Sequence, residues 1–401
     1  MKRIMWAAVA TMTTAAVGWA GAGAAHAADP PTLAFGAAKT AVTLPAGCAQ
    51  TDDIHLKPTA DGSYRGFLST RCGTTQKVFY LQRNKDGVWA LRTTPYTAFD
   101  TIEDVTSDST GTYVVYLSRN KKLLLGKRQI NGSYITRKIL STKTYYPNHA
   151  SVIASNGQFW VVWNDVLSPL DDRNRDGLWE TKTIGAPVTQ GPVGRHYYDQ
   201  GTLVRRANGA VQLVTFVEIG ENDPASGYAG TGRASVSDRH GTGWASARKV
   251  LGDDIVTDSQ KSYLDFGGRL YAVADQLCHP DTAYDDTRRL DATSQQASGF
   301  SPVELDPASG VTCAHAPDSG ASTRSGTLLK LGSNVWVSDG TLAWKANANG
   351  RFSAGPARQL AHQPAGTTLD SLLYRSGRIV RVMSQTSGGT ATLVEQVSAP
   401  A

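Results

Sequence analysis

The chain has 401 residues, a formal net charge of +6, 40% hydrophobic and 18% charged residues. That much apolar content with so little net charge excludes a disordered chain. Basic residues are scattered, with Lys121-Lys122, Arg205-Arg206 and Arg288-Arg289 the densest pairs, which argues against a nucleic-acid partner.

Residues 1–27 read as an export signal. Lys2 and Arg3 form the charged start, 5–17 the apolar stretch, and Ala25-His26-Ala27 a small-residue cleavage site. The stretch is too short and too rich in small residues for a stable membrane span. The expectation is a secreted, extracellular chain of residues 28–401, a single domain with no membrane partner.

Next comes Lys39-Thr40-Ala41-Val42-Thr43-Leu44, then the first of four cysteines, Cys48, Cys72, Cys278 and Cys313. An even number in an exported chain favours disulfides. Three pairings are open, and proximity favours Cys48 with Cys72 and Cys278 with Cys313.

From here a motif recurs seven times: an apolar strand, a turn ending in Gly, a second apolar strand. The turn glycines are Gly62, Gly111, Gly157, Gly209, Gly268, Gly332 and Gly377. A second turn, Gly followed by an aromatic, occurs at Gly87/Trp89, Gly132/Tyr134, Gly177/Trp179, Gly241/Trp244, Gly299/Phe300 and Gly350/Phe352. A mostly β period of roughly 40–50 residues implies a propeller, because one sheet cannot bury both faces alone. The fold expected is an all-β, seven-bladed β-propeller. Six outer strands against seven inner hairpins leave one strand missing, and residues 39–44 resemble the outer-strand pattern. The expectation is that this N-terminal strand completes the last blade and covers its edge. The alternative is six blades and a stray hairpin.

Insertions mark the loops: 166–176, 218–231, 278–298 and 306–325. Asp172, Asn174 and Asp176, followed by Gly177, match the first half of a calcium loop. Glu180 could add a ligand, but Thr183 stands where the loop needs a bidentate Glu. The competing reading is an Asp-Gly hairpin like Asn84-Lys85-Asp86-Gly87. Ser237 to Trp244 looks like a degenerate Asp-box, a structural turn of sialidase-like propellers, one residue too long.

A glycosidase needs two facing carboxyls, one protonated. Asp53, Glu103, Asp104, Asp265 and Asp370 lie near inner strands, and His149 is the histidine expected to face the channel. Carboxylates at strand starts commonly serve turn backbone groups instead. No Gly-x-Ser-x-Gly elbow and no His-Glu-x-x-His pair occurs.

The export signal ending Ala25-His26-Ala27, the mature start Ala28-Asp29-Pro30-Pro31, the irregular blades and the two cystine candidates together resemble the dispase autolysis-inducing proteins of actinomycetes. The resemblance covers the whole mature length. It implies a non-catalytic seven-bladed propeller; a monomer without a cofactor, calcium aside, is the further expectation. It also implies two partners: a thermolysin-type neutral metalloprotease (dispase) that is provoked to digest itself, and a microbial transglutaminase to which the chain donates glutamine. A reactive glutamine needs a mobile loop. Gln295 and Gln296 fit best, Gln50 and Gln76 lie near loops beside the first cystine, and Gln190 and Gln363 lie between blades. Gln158 and Gln212 fall in inner strands and are expected to react poorly. The alternative function is a carbohydrate-active propeller enzyme, sialidase-like or otherwise glycoside-processing. A lectin-like propeller is a weaker third, because the repeating aromatics read as packing residues.

Overall fold

The computed structural model describes residues 31–59, 61–118, 120, 122–138, 148–155, 158–164, 179–183, 188–190, 200–218, 231–240, 243–251, 255–256, 261–277, 288–305, 326–353, 358–387 and 390–400. The export-signal reading, Cys278, Cys313, Asp172, Asn174 and Asp176 lie outside these residues.

The described residues form strands and turns, with no helix among them. Their sheets contain seven, four, eleven, four and five strands. Strands such as Gly111–Ser118 (GTYVVYLS) are buried on both faces, so their Val and Tyr side chains alternate between two neighbouring sheets. Gly157, Gly177 and Gly241 lie outside the described residues. Among those described, the expected turn glycines other than Gly111 have left-handed backbone, as at Gly62 (φ 78°) and Gly87 (φ 90°), a geometry that a side chain disfavours. Gly111 differs from expectation. It opens a strand, and the Asp108 carboxylate holds its turn by accepting from the N–H of Thr110 and Gly111 at 2.7 and 3.0 Å.

The strand beginning each meander packs beside that of the next. Cys48–Pro58 lies beside Trp89–Asp108, which lies beside Asn148–Ser155; Gln200–Arg205, Ser262–Phe266, Thr327–Leu331 and Thr367–Arg375 follow, and the last lies beside Cys48–Pro58. These strands expose an unpaired backbone edge, which would be costly if buried without acceptors. Polar side chains of the preceding strand cap it. The Val152 N–H donates to Asp104 Oδ2 at 2.9 Å, Leu203 N–H to Ser151 Oγ at 3.2 Å, and Leu328 N–H to Ser262 Oγ at 3.2 Å.

The N-terminal strand Lys39–Thr43 pairs antiparallel with Thr390–Val397, Thr40 opposite Val394 and Val42 opposite Leu393. The Leu44 N–H donates to the Ala391 carbonyl at 3.0 Å. Val42 and Leu44 are thereby buried in a cluster that includes Ile54 and Phe79 of the first meander and Leu373 and Val382 of the last. The sequence pattern did not reveal an earlier contact: Thr32–Leu33 pairs in parallel with Arg358–Leu360. The chain's start therefore crosses two sheets. Arg381 stands behind it, 1% exposed, its Nη2 donating to the Gly340 carbonyl at 2.9 Å and its guanidinium 3.9 Å from the Phe35 ring centre. Burial pushes the Arg381 pKa down to about 10.

Cys48 and Cys72 form a disulfide joining the first two strands of the first meander.

Candidate functional site

The strands that begin the first, fifth, sixth and seventh of these meanders surround a cavity of about 930 Å³. Ile54, Leu56, Leu264 and Leu373 give it apolar wall, and Ser262, Thr327 and Ser371 bring hydroxyl-bearing side chains. Its mouth lies where the hairpin turns emerge, and carries Lys57, Asp61, Lys85, Asp86, Lys330 and Arg375.

Of the two carboxylates in this lining, Asp86 is exposed and Asp61 is already engaged. Asp61 accepts from Thr59, from both Ser63 donors and from Arg65. Those hydrogen bonds, Ser63 first, hold its carboxyl far below the usual range. Beside the cavity, burial works to raise the Asp104 pKa, but Lys57, His55 and the N–H groups of Val152 and Val105 outweigh it, and the carboxyl is held low. Lys57 Nζ stands 3.4 Å from Asp104 Oδ1, and the Ser151 hydroxyl donates to Oδ2 at 2.8 Å. That hydroxyl also accepts the Leu203 N–H, so Ser151 serves as a bridge between strands rather than as a nucleophile.

Burial does push one candidate carboxyl up, that of Asp265. Its side chain is fully buried, accepts the Ala207 N–H at 3.1 Å and lies 3.5 Å from Arg206 Nε. It is not part of the cavity wall. Glu103 accepts the Ala150 N–H at 3.3 Å, and Asp370 accepts the Ser384 hydroxyl at 3.2 Å. Each of these three candidates thus accepts a hydrogen bond from another strand or turn. The side chains of Asp53 and His149 lie outside the described set. Among the described residues no group of three or more His, Cys, Asp and Glu could hold a metal ion.

In the Asp-box-like segment, Arg239 pairs with Trp244 and His240 with Gly243, and Gly241 lies outside the described residues. Asp238 accepts from Gln212 Nε2 at 2.9 Å and from Arg248 Nη2 at 2.7 Å. Arg239 lies 4.9 Å from the Trp160 ring centre and 5.3 Å from that of Trp244.

Gln295 and Gln296 depart from the loop expectation. Gln295 and Gln296 end the strand Arg288–Gln296, opposite Phe300 and Gly299, and are half-buried. The polar stretch Thr293-Ser294-Gln295-Gln296 reads as a loop, yet Thr293 and Ser294 are buried at 1% and 4% exposure. Gln76 is buried in Thr75–Arg83, since the hairpin after Cys72 turns within two residues. Gln50 lies in Cys48–Pro58, where the disulfide fixes the strand start, and Gln190 ends the edge strand Val188–Gln190. Gln363 is exposed and outside any strand, its amide donating to the Thr367 carbonyl at 3.2 Å.

Sequence reasoning missed Arg83, Glu395 and Arg381. The available signal was a charge inside or ending an apolar strand, as in Ile379-Val380-Arg381-Val382-Met383.

No protein-family model matches the sequence. No curated protein is significantly similar to it. Solved structures are similar in fold. A catalytically inactive virginiamycin B lyase from Staphylococcus aureus with quinupristin has TM-score 0.50 and 11% identity, covering 90% of this chain and 100% of that one. A streptogramin B lyase has TM-score 0.51 and 8% identity, covering 90% and 98%. A polysaccharide lyase has TM-score 0.51 and 9% identity, covering 87% and 90%. These neighbours are β-propeller enzymes, and the chain shares their all-β architecture. Identities this low carry the fold alone.

Proposed function

We propose that the chain is a secreted seven-bladed β-propeller, closed within its last blade by Lys39–Thr43, that acts by binding other extracellular proteins and performs no chemistry of its own. The blade count is supported by the series of neighbouring strands that leads from Cys48–Pro58 through Thr367–Arg375 and back. The partners are those the family resemblance implies: a thermolysin-type neutral metalloprotease, whose autolysis the chain provokes, and a transglutaminase that uses it as glutamine donor. The observation carrying the non-catalytic reading is the state of the carboxyls around the cavity. Asp61 and Asp104 are held ionised by hydrogen bonds and cations, which suits neither for the protonated half of an acid–base pair. Provoked autolysis requires that the propeller bind a cleavable conformation or encounter of the protease better than the resistant one. Of the candidate glutamines whose side chains are described, Gln363 has the exposure that transglutamination demands.

The second reading is a carbohydrate-active propeller enzyme. The structural neighbours favour it over the first, since lyases stand among them and one acts on polysaccharide by name.

One experiment separates the two. The purified protein is incubated with an active neutral metalloprotease and, in parallel, with a panel of glycans. The first reading expects faster fragmentation of the protease and unchanged glycans. Glycan conversion, or a protease digestion pattern indifferent to the protein, would overturn it.

A further inference from the structure

The seam between the first and last meanders holds more positive charge than it neutralises. Arg83 is 4% exposed at its side chain and gives its Nε to Glu395 at 2.8 Å. Its buried Nη1 has no hydrogen-bond partner. Its Nη2 approaches Gly87, lying 3.2 Å from where a Cβ on that residue would stand. Arg375 Nη1 lies 3.2 Å from the same point. Two guanidinium groups therefore converge on the bare Cα of Gly87, where any side chain would crowd them. Lys85, two residues before it, lines the cavity mouth together with Arg375. Among the described residues neither Arg375 nor Lys85 has an ion-pair partner. The nearby carboxylates are Glu395, committed to Arg83 and the Trp89 indole N–H, Asp61, committed to Thr59, Ser63 and Arg65, and the exposed Asp86.

Like charges held this close are unfavourable unless an anion lies between them. Guanidinium groups bind oxyanions through charge-assisted, fork-shaped hydrogen bonds. The geometry points to an oxyanion site at this mouth, formed by Arg375, Arg83 and Lys85 over Gly87. It takes the carboxylate, sulfate or phosphate group of a ligand whose uncharged remainder fits the mixed apolar and hydroxyl-lined cavity beyond. This site does not depend on the protease reading, and binding alone is the expected function.

The test uses the full chain at fixed ionic strength, with thermal unfolding followed while inorganic phosphate, sulfate or acetate replaces chloride. A saturable rise in melting temperature is expected with at least one of the three, because a ligand that binds only the folded state stabilises it. Which anion acts most strongly identifies the group recognised. Arg375→Gln should weaken that anion about tenfold, and Lys85→Gln, an exposed change with little bearing on folding, about threefold. Arg378→Gln removes equal charge from a residue bonded instead to the Ser398 carbonyl, and should leave the response unchanged. Absence of a saturable response to all three anions, or equal responses from the unmodified protein and both Arg375→Gln and Lys85→Gln, would overturn the assignment.

Discussion

The seam between the chain's two ends and the junction between the fourth and fifth meanders each contain one carboxylate–guanidinium pair, and the two are built differently. At the seam, Glu395 Oε2 receives Arg83 Nε and Trp89 Nε1, both at 2.8 Å. Both side chains are nearly buried, 11% and 4% exposed. At the other junction, Asp265 Oδ2 lies 3.5 Å from Arg206 Nε without a hydrogen bond, and burial pushes its pKa up. The fourth and fifth meanders are continuous in sequence, so apolar packing of Phe216, Val236, Leu270 and Ala272 suffices there. The ends have no such covalent tether across their edge. Short, charge-assisted polar contacts supplement the packing where chain connectivity does not hold the neighbours together.

Removing one partner is the sharpest way to break that contrast. Glu395→Ala leaves the Arg83 charge buried and unpaired, and should destabilise the fold by about 3–5 kcal/mol, read as a large fall in melting temperature by calorimetry. The disulfide acts on the same side of the molecule. Replacing Cys48 and Cys72 by Ser together releases a loop with sequence separation 24. The expected loss is about 3 kcal/mol, measurable from the urea midpoint. Asp265→Asn should change neutral-pH stability by about 1 kcal/mol or less, because the loose pair gives up little.

Acid titration sharpens the comparison further. The Asp104 pKa is lowered in the folded state. Its contribution is therefore present above the unfolded carboxyl value near about 3.9 and disappears as pH falls through the lower folded value. Asp104→Asn should flatten the acid limb of a stability–pH curve. The Asp265 pKa is raised, so stability declines as pH rises from the unfolded value through the folded one, and Asp265→Asn should remove that decline. An unchanged curve in either variant would contradict the assigned direction.

Much of the architecture was legible in local chemistry. Turn glycines at Gly62 and Gly87, and alternation in runs such as Gly111–Ser118, follow from backbone sterics and burial. The N-terminal strand was legible because Lys39-Thr40-Ala41-Val42-Thr43 repeats the outer-strand pattern found elsewhere. The roles of the polar residues were less so. Asp104 looks like chemistry in a linear sequence, and Ser151 carries no signal there. In space they satisfy the free edge of a neighbouring strand, a demand that appears only when the strands stand side by side. Gln295 and Gln296 were misplaced because small and polar side chains imitate a loop, although strand pairing with Gly299 and Phe300 fixes them. Thr32–Leu33 is too short for periodicity to mark, and its parallel partner lies more than 300 residues away.

Hydrogen exchange along Thr390–Val397 tests the claim that the chain's start secures its end. This strand pairs with Arg378–Ser387 on one side and Lys39–Thr43 on the other. In the full chain its amides should be protected as strongly as those of Gly111–Ser118. In a variant lacking residues 31–44, protection over Thr390–Val397 should collapse first and furthest. Equal protection of that strand with and without residues 31–44 would contradict the account.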